Sequence, residues 1–154
     1  MKVIIHDLQE TQWQDLDLDK KLNGQDVIIG ENMGIDKSAN IEEAIGKCKQ
    51  LVLISRCVYG GFSPFIQGVL SRCRKFFGPF LELRHGQTHF EVKSENKNAF
   101  KMVCCFYGSH ITQGEEQSAR LQSVSDGISL QAKGVKILLY DSMDKLKQLS
   151  SILV

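Results

Sequence analysis

Five short apolar runs recur along the chain, and between them hydrophobic positions fall at helical spacing. The runs are Val3-Ile4-Ile5, Val27-Ile28-Ile29, Leu51-Val52-Leu53-Ile54, Met102 to Tyr107 and Val135 to Tyr140. Apolar residues in unbroken succession, rather than in alternation with polar ones, suit strands covered on both faces.

The intervening stretches carry helix signals. Thr11-Gln12-Trp13-Gln14 has the reciprocal capping pattern, with Trp13 and Leu16 on one face of a brief helix. Asn40 can cap a helix whose third residue is Glu43, and Ile41, Ala44, Ile45 and Cys48 keep helical spacing behind it. Ser63 stands at an N-cap with Pro64 at the first helical position, where a missing N–H does no harm. Phe65, Ile66, Val69, Leu70, Cys73 and Phe76 form that helix's apolar face, and Gly78-Pro79 stops it. Thr112 and Glu115 make another capping box, predicting a helix with Leu121, Val124 and Ile128 inward and Gly134 at its end. Met143, Leu146 and Leu149 predict a last helix, and residues 79–98 an excursion with some extended structure.

Strands that alternate with helices predict an α/β fold, a parallel sheet layered between helices as one domain over residues 1–154. Five strands with right-handed crossovers fit the doubly wound order 2-1-3-4-5. In such sheets ligands sit at the carboxyl ends of the strands, where the winding reverses. The relevant loops are then His6 to Thr11, Arg56 to Ser63 and Tyr107 to Thr112.

Composition narrows the function classes. The 154 residues carry a formal charge of +1, with no basic run, so nucleic acid and anionic membrane are not expected partners. No apolar run approaches the roughly 20 residues needed to span a bilayer, and no secretory signal is visible. The five cysteines are odd in number and lack a CxxC spacing, which points to reduced thiols and a cytoplasmic setting. Phosphate-loop, dinucleotide-fingerprint and nucleophile-elbow motifs do not occur.

The segment Leu53 to Phe65, with Val58-Tyr59-Gly60-Gly61-Phe62-Ser63-Pro64 at its centre, resembles the same region of small flavodoxin-like proteins related to NAD(P)H-dependent FMN reductases. Lys2 to Leu8, Phe106-Tyr107-Gly108 and Ile111-Thr112 resemble that bacterial group too. The resemblance implies a flavodoxin-like three-layer fold and FMN as cofactor. It implies NAD(P)H-dependent oxidoreductase activity or a role as flavin carrier, in a protein that can dimerise. Carried onto this chain, the ring-contacting loop after the third strand is Arg56, Cys57, Val58, Tyr59, Gly60, Gly61, Phe62 and Ser63. Tyr107 and Gly108 approach from the loop after the fourth, and Thr11 stands in the phosphate loop. No catalytic acid–base residue is implied.

Two features depart from that pattern. The phosphate loop here is His6-Asp7-Leu8-Gln9-Glu10-Thr11, so a phosphate would meet two carboxylates. After the second strand the chain has Gly30 to Ser38, without cysteine, where the relatives are cysteine-rich. The alternative reading is therefore a non-catalytic flavodoxin-like module acting through dimerisation or a partner.

The remaining candidates have plainer explanations. Cys57 follows Arg56, whose charge would favour a thiolate, but no partner cysteine or histidine stands at a diagnostic spacing and the plainer role is a small buried hydrophobe. Cys104 and Cys105 adjoin on a strand and should face opposite sides. His85 and His89, with Glu82 and Glu91 nearby, could begin a metal site on a helix, yet Gly86 weakens helicity and no committed third ligand follows, so no metal is expected.

Overall fold

The computed structural model describes residues 1–32, 41–76, 81–84, 87–90 and 100–153. The apolar runs become β1 (Lys2–His6), β2 (Val27–Gly30), β3 (Gln50–Arg56), β6 (Lys101–Tyr107) and β7 (Gly134–Tyr140). These five form one sheet in the order β2-β1-β3-β6-β7, every neighbouring pair parallel. Counted along the main sheet, that is the expected 2-1-3-4-5, with its winding reversal between β1 and β3.

The period-two geometry of the strands divides the core into two. Val3, Ile5, Leu51, Leu53, Met102, Cys104 and Phe106 face a layer that includes α2 (Ile41–Lys47), α3 (Pro64–Phe76) and α4 (Gln113–Ser129). Ile4, Val52, Ile54, Val103, Cys105 and Tyr107 face α1 (Glu10–Asp15), α5 (Met143–Leu146) and α6 (Leu149–Ile152). Each fully buried Leu or Ile contributes roughly 1.5–3 kcal/mol of transfer free energy to this sandwich. Cys104 and Cys105 do lie on opposite faces, and burial pushes the Cys104 thiol up to about 12. They are packing residues.

Several boundaries differ from the expectation. The first helix opens at Glu10, with Gln9 N–H donating to Gln12 Oε1 at 2.9 Å, so Thr11 is an exposed residue inside α1 rather than its cap. The apolar pattern of α4 also misled. Ala119, Ser123, Asp126 and Gly127 face the sheet, whereas Leu121 is 73% and Val124 45% exposed. Close packing explains this, because a Cβ on Gly127 would lie 2.2 Å from Val135 Cγ2, leaving room only for small groups beneath the helix. Gly134 does not end α4. It begins β7, and Gln131, at φ 58°, takes the left-handed position instead. The last helix is two short ones, α5 and α6.

The excursion contains an antiparallel pair, β4 (Leu81–Arg84) with β5 (Gln87–Phe90). His89 stands opposite Glu82 there, on a strand, so the helical spacing considered for His85 and His89 does not apply. The cap at Asn40, the stop at Gly78-Pro79, the segment from Met33 to Ser38, His85, Gly86 and Glu91 lie outside the described residues.

Candidate functional site

At the carboxyl rim of the sheet, Asp7 ties three strand ends together. Its carboxylate is buried and accepts the Arg56 N–H at 2.8 Å through Oδ2 and the Tyr107 hydroxyl at 2.6 Å through Oδ1. The Arg56 guanidinium adds a contact from Nε at 3.6 Å, its side chain 55% exposed. Because the tyrosine is buried and faces this anion, ionisation of its phenol is pushed far above the ordinary range.

Beside Asp7, His6 is fully buried and stacks on Trp13, ring centroids 4.4 Å apart and planes 6° from parallel. Its Nδ1 accepts the Leu8 N–H at 3.2 Å, which places the neutral ring's proton on Nε2. Among the described residues Nε2 has no partner. Burial lowers the pKa to about 4, against a weaker upward pull from Asp7 and Asp19. The imidazole is neutral at physiological pH.

The loop after β3 divides in two. Val58 and Gly61 exchange backbone hydrogen bonds, each 3.0 Å long, around Tyr59 at φ 50° and Gly60 at φ 77°. Positive φ at both central residues is the type I′ pattern, for which Asn-Gly is the favoured pair. Gly60 serves a second need, since a Cβ there would sit 2.7 Å from Ser118 Cβ and 3.1 Å from Glu115 Cα on α4. Tyr59 is left 96% exposed at the tip.

Past the turn the chain dives inward. Phe62 is fully buried and stacks on Phe106 at 4.7 Å, so it supports the loop from below and offers no open ring face. Ser63 is buried too, its N–H donating to Ser55 Oγ at 2.8 Å and its own Oγ unpartnered among the described residues, so its hydroxyl does not cap α3.

A cleft of about 570 Å³ opens on the α1 and α5 side of this rim. Arg56, Cys57, Tyr107 and Gly108 line it, with Gln12, beside Thr11, completing one wall. Val58 to Ser63 are not in its lining; they form the adjoining turn and its buried base. Sequence reasoning missed the far wall, Asp141-Ser142-Met143. A signal existed: Ser142 precedes an amphipathic segment at a strand end, and it does cap α5, accepting the Lys145 N–H at 3.3 Å. Burial pushes the Cys57 thiol up, and the Glu115 charge adds to this, so no thiolate is favoured beside Arg56.

Tested against a flavin mononucleotide, the two ends of the site behave differently. The volume of the cleft falls within the range of small-molecule sites. The loop after β1 does not suit a phosphate, because a buried carboxylate already occupies the donors at the centre of the rim.

No protein-family model and no curated protein matches the chain. Solved structures do. The general stress protein 14 of Treponema denticola, in complex with FMN, superposes with a TM-score of 0.61 at 12% identity over 98% of this chain and 91% of that one. The FMN-dependent NADH-azoreductase of Bacillus anthracis, in complex with FMN, gives 0.58 at 9% identity, covering 99% and 98%. A further azoreductase of that organism gives 0.52 at 7%, covering 99% and 93%. The chain therefore has the flavodoxin-like fold.

Proposed function

We propose that this chain is a flavin-binding oxidoreductase or flavin carrier of one domain, working in the cytoplasm, with the flavin ring in the rim cleft. The observation that carries the reading is that cleft: four of the residues nominated from sequence, Arg56, Cys57, Tyr107 and Gly108, line a single cavity of suitable size at the sheet's carboxyl ends. Two of its neighbours in fold, the Treponema denticola protein and the FMN-dependent azoreductase, are complexes with FMN, which supports FMN or a close flavin as the ligand class. Val58 to Ser63, which follow Cys57 of the cleft wall in the chain, would reach the ring's edge through Tyr59, and Thr11 would flank its polar tail. NAD(P)H is the proposed reductant.

The chain's own groups would orient and sequester the ring rather than exchange protons with it. Tyr107 is fixed by its bond to Asp7 and holds its proton, and Cys57 stays a thiol. Any hydride chemistry belongs to the flavin.

Purified protein titrated with flavin should quench the flavin's fluorescence and retain yellow colour on a sizing column. Loss of NAD(P)H absorbance above the protein-free rate then separates reductase from carrier. No quenching at millimolar flavin would refute the reading.

The outward-facing Leu121 and Val124 favour a second reading, a module that works through association of two copies along α4. Sedimentation equilibrium of the protein and of Leu121→Ser tests it; an unchanged monomer in both excludes it.

A further inference from the structure

An anion arriving at the carboxyl rim would look for backbone N–H groups, and in the first loop those of Asp7, Leu8 and Gln9 are engaged from within. Asp7 N–H donates to Ile54 O at 3.2 Å, Leu8 N–H to His6 Nδ1 at 3.2 Å, and Gln9 N–H to Gln12 Oε1 at 2.9 Å. The helix that follows is only six residues long and opens on Glu10. At the start of α4 Glu115 N–H donates to Thr112 Oγ1 at 3.1 Å, and Glu115 and Glu116 make its first turn acidic. Ser63 N–H is taken by Ser55 Oγ, and Pro64 has none to give.

Charge runs the same way. Asp7, Glu10, Glu31 and Asp141 stand on or beside the rim, with Glu31 N–H bonded to His6 O at the end of β2. Arg56 is the cation that lines the cleft, and Asp7 already faces it. Lys145 is bound to Asp141 at 2.9 Å. A phosphate monoester brings nearly two negative charges into that field.

We propose that the cleft selects a flavin without its phosphate, of the riboflavin class, over FMN. The inference rests on the flavin-binding reading above and specifies its ligand. The uncharged ribityl chain has hydroxyls that Gln12, Ser109 and Ser142 on the cleft wall can bond. Asp7 supplies the internal anion that holds the rim loops in place, the part a bound phosphate would otherwise play.

The test is a pair of fluorescence titrations with the full chain, riboflavin against FMN, each at low salt and at about 0.5 M salt. Riboflavin should bind about tenfold or more tightly at low salt, and the gap should narrow as salt screens the carboxylates. Glu10→Gln, an exposed change, should strengthen FMN binding severalfold and leave riboflavin unaffected. FMN binding more tightly than riboflavin overturns the selection while the flavin-binding reading survives. Failure of both flavins to bind overturns that reading and the selection together.

Discussion

His6 enters the fold with no place for a second proton. Its unfolded pKa of 6.5 falls to about 4 on burial, so between those values the unfolded chain binds more protons than the folded one. The stabilising effect of the neutral ring is therefore full above pH 6.5, declines as pH falls through that window, and is lost by about pH 4. At pH 5 the penalty should reach about 2 kcal/mol, from 1.36 kcal/mol per unit. Urea midpoints at pH 7.5 and pH 5 should differ for the native chain, and His6→Gln should remove most of that difference. Tyr59 makes a different bargain. A non-glycine residue at φ 50° is strained, and Tyr59→Asn should stabilise the chain by roughly 0.5–1 kcal/mol while weakening flavin binding. A stability gain with binding intact would show that the exposed ring has no ligand role.

Elements show where hydrophobic spacing misinforms. The five strands and the start of α3 could be read directly, because unbroken apolar runs and the Ser63-Pro64 junction have few other meanings. The inward face of α4 could not. Its side toward the sheet is set by available space, which admits Gly127 and Ser123, and no periodicity rule reports how close a neighbouring strand will come. Leu121→Ser should accordingly shift stability by less than about 0.5 kcal/mol in thermal unfolding, where a core leucine would cost several times more. The two adjacent glycines of the turn should separate as well. Gly60→Ala meets the backbone of α4 from a left-handed conformation and should cost about 1–3 kcal/mol, whereas Gly61→Ala meets only the movable end of Gln122 and should cost less.

At the scale of the whole molecule, topology determines which loops can cooperate, and this was legible from element order alone. The far wall of the cleft was less so, since Asp141 to Met143 follow the edge strand β7 and come into the site through its register with β6, Tyr140 beside Tyr107, rather than through the winding reversal. The role of Asp7 was half visible: its charge could be read against a phosphate, but not its bonds to β3 and β6. Those bonds make a further expectation. Tyr107→Phe removes a hydrogen bond to a buried carboxylate and should destabilise the protein by about 1.5–3 kcal/mol in urea unfolding.

The chain contains a single tryptophan, and it is the one stacked on His6 with its indole N–H bonded to Asp19 at 3.1 Å. Intrinsic emission from this protein is consequently a local signal, broadcast from underneath α1 next to Gln12 on the cleft wall. A spectrometer set to that one indole can follow the rim's opening, or the arrival of a chromophore that absorbs its light, without any attached dye.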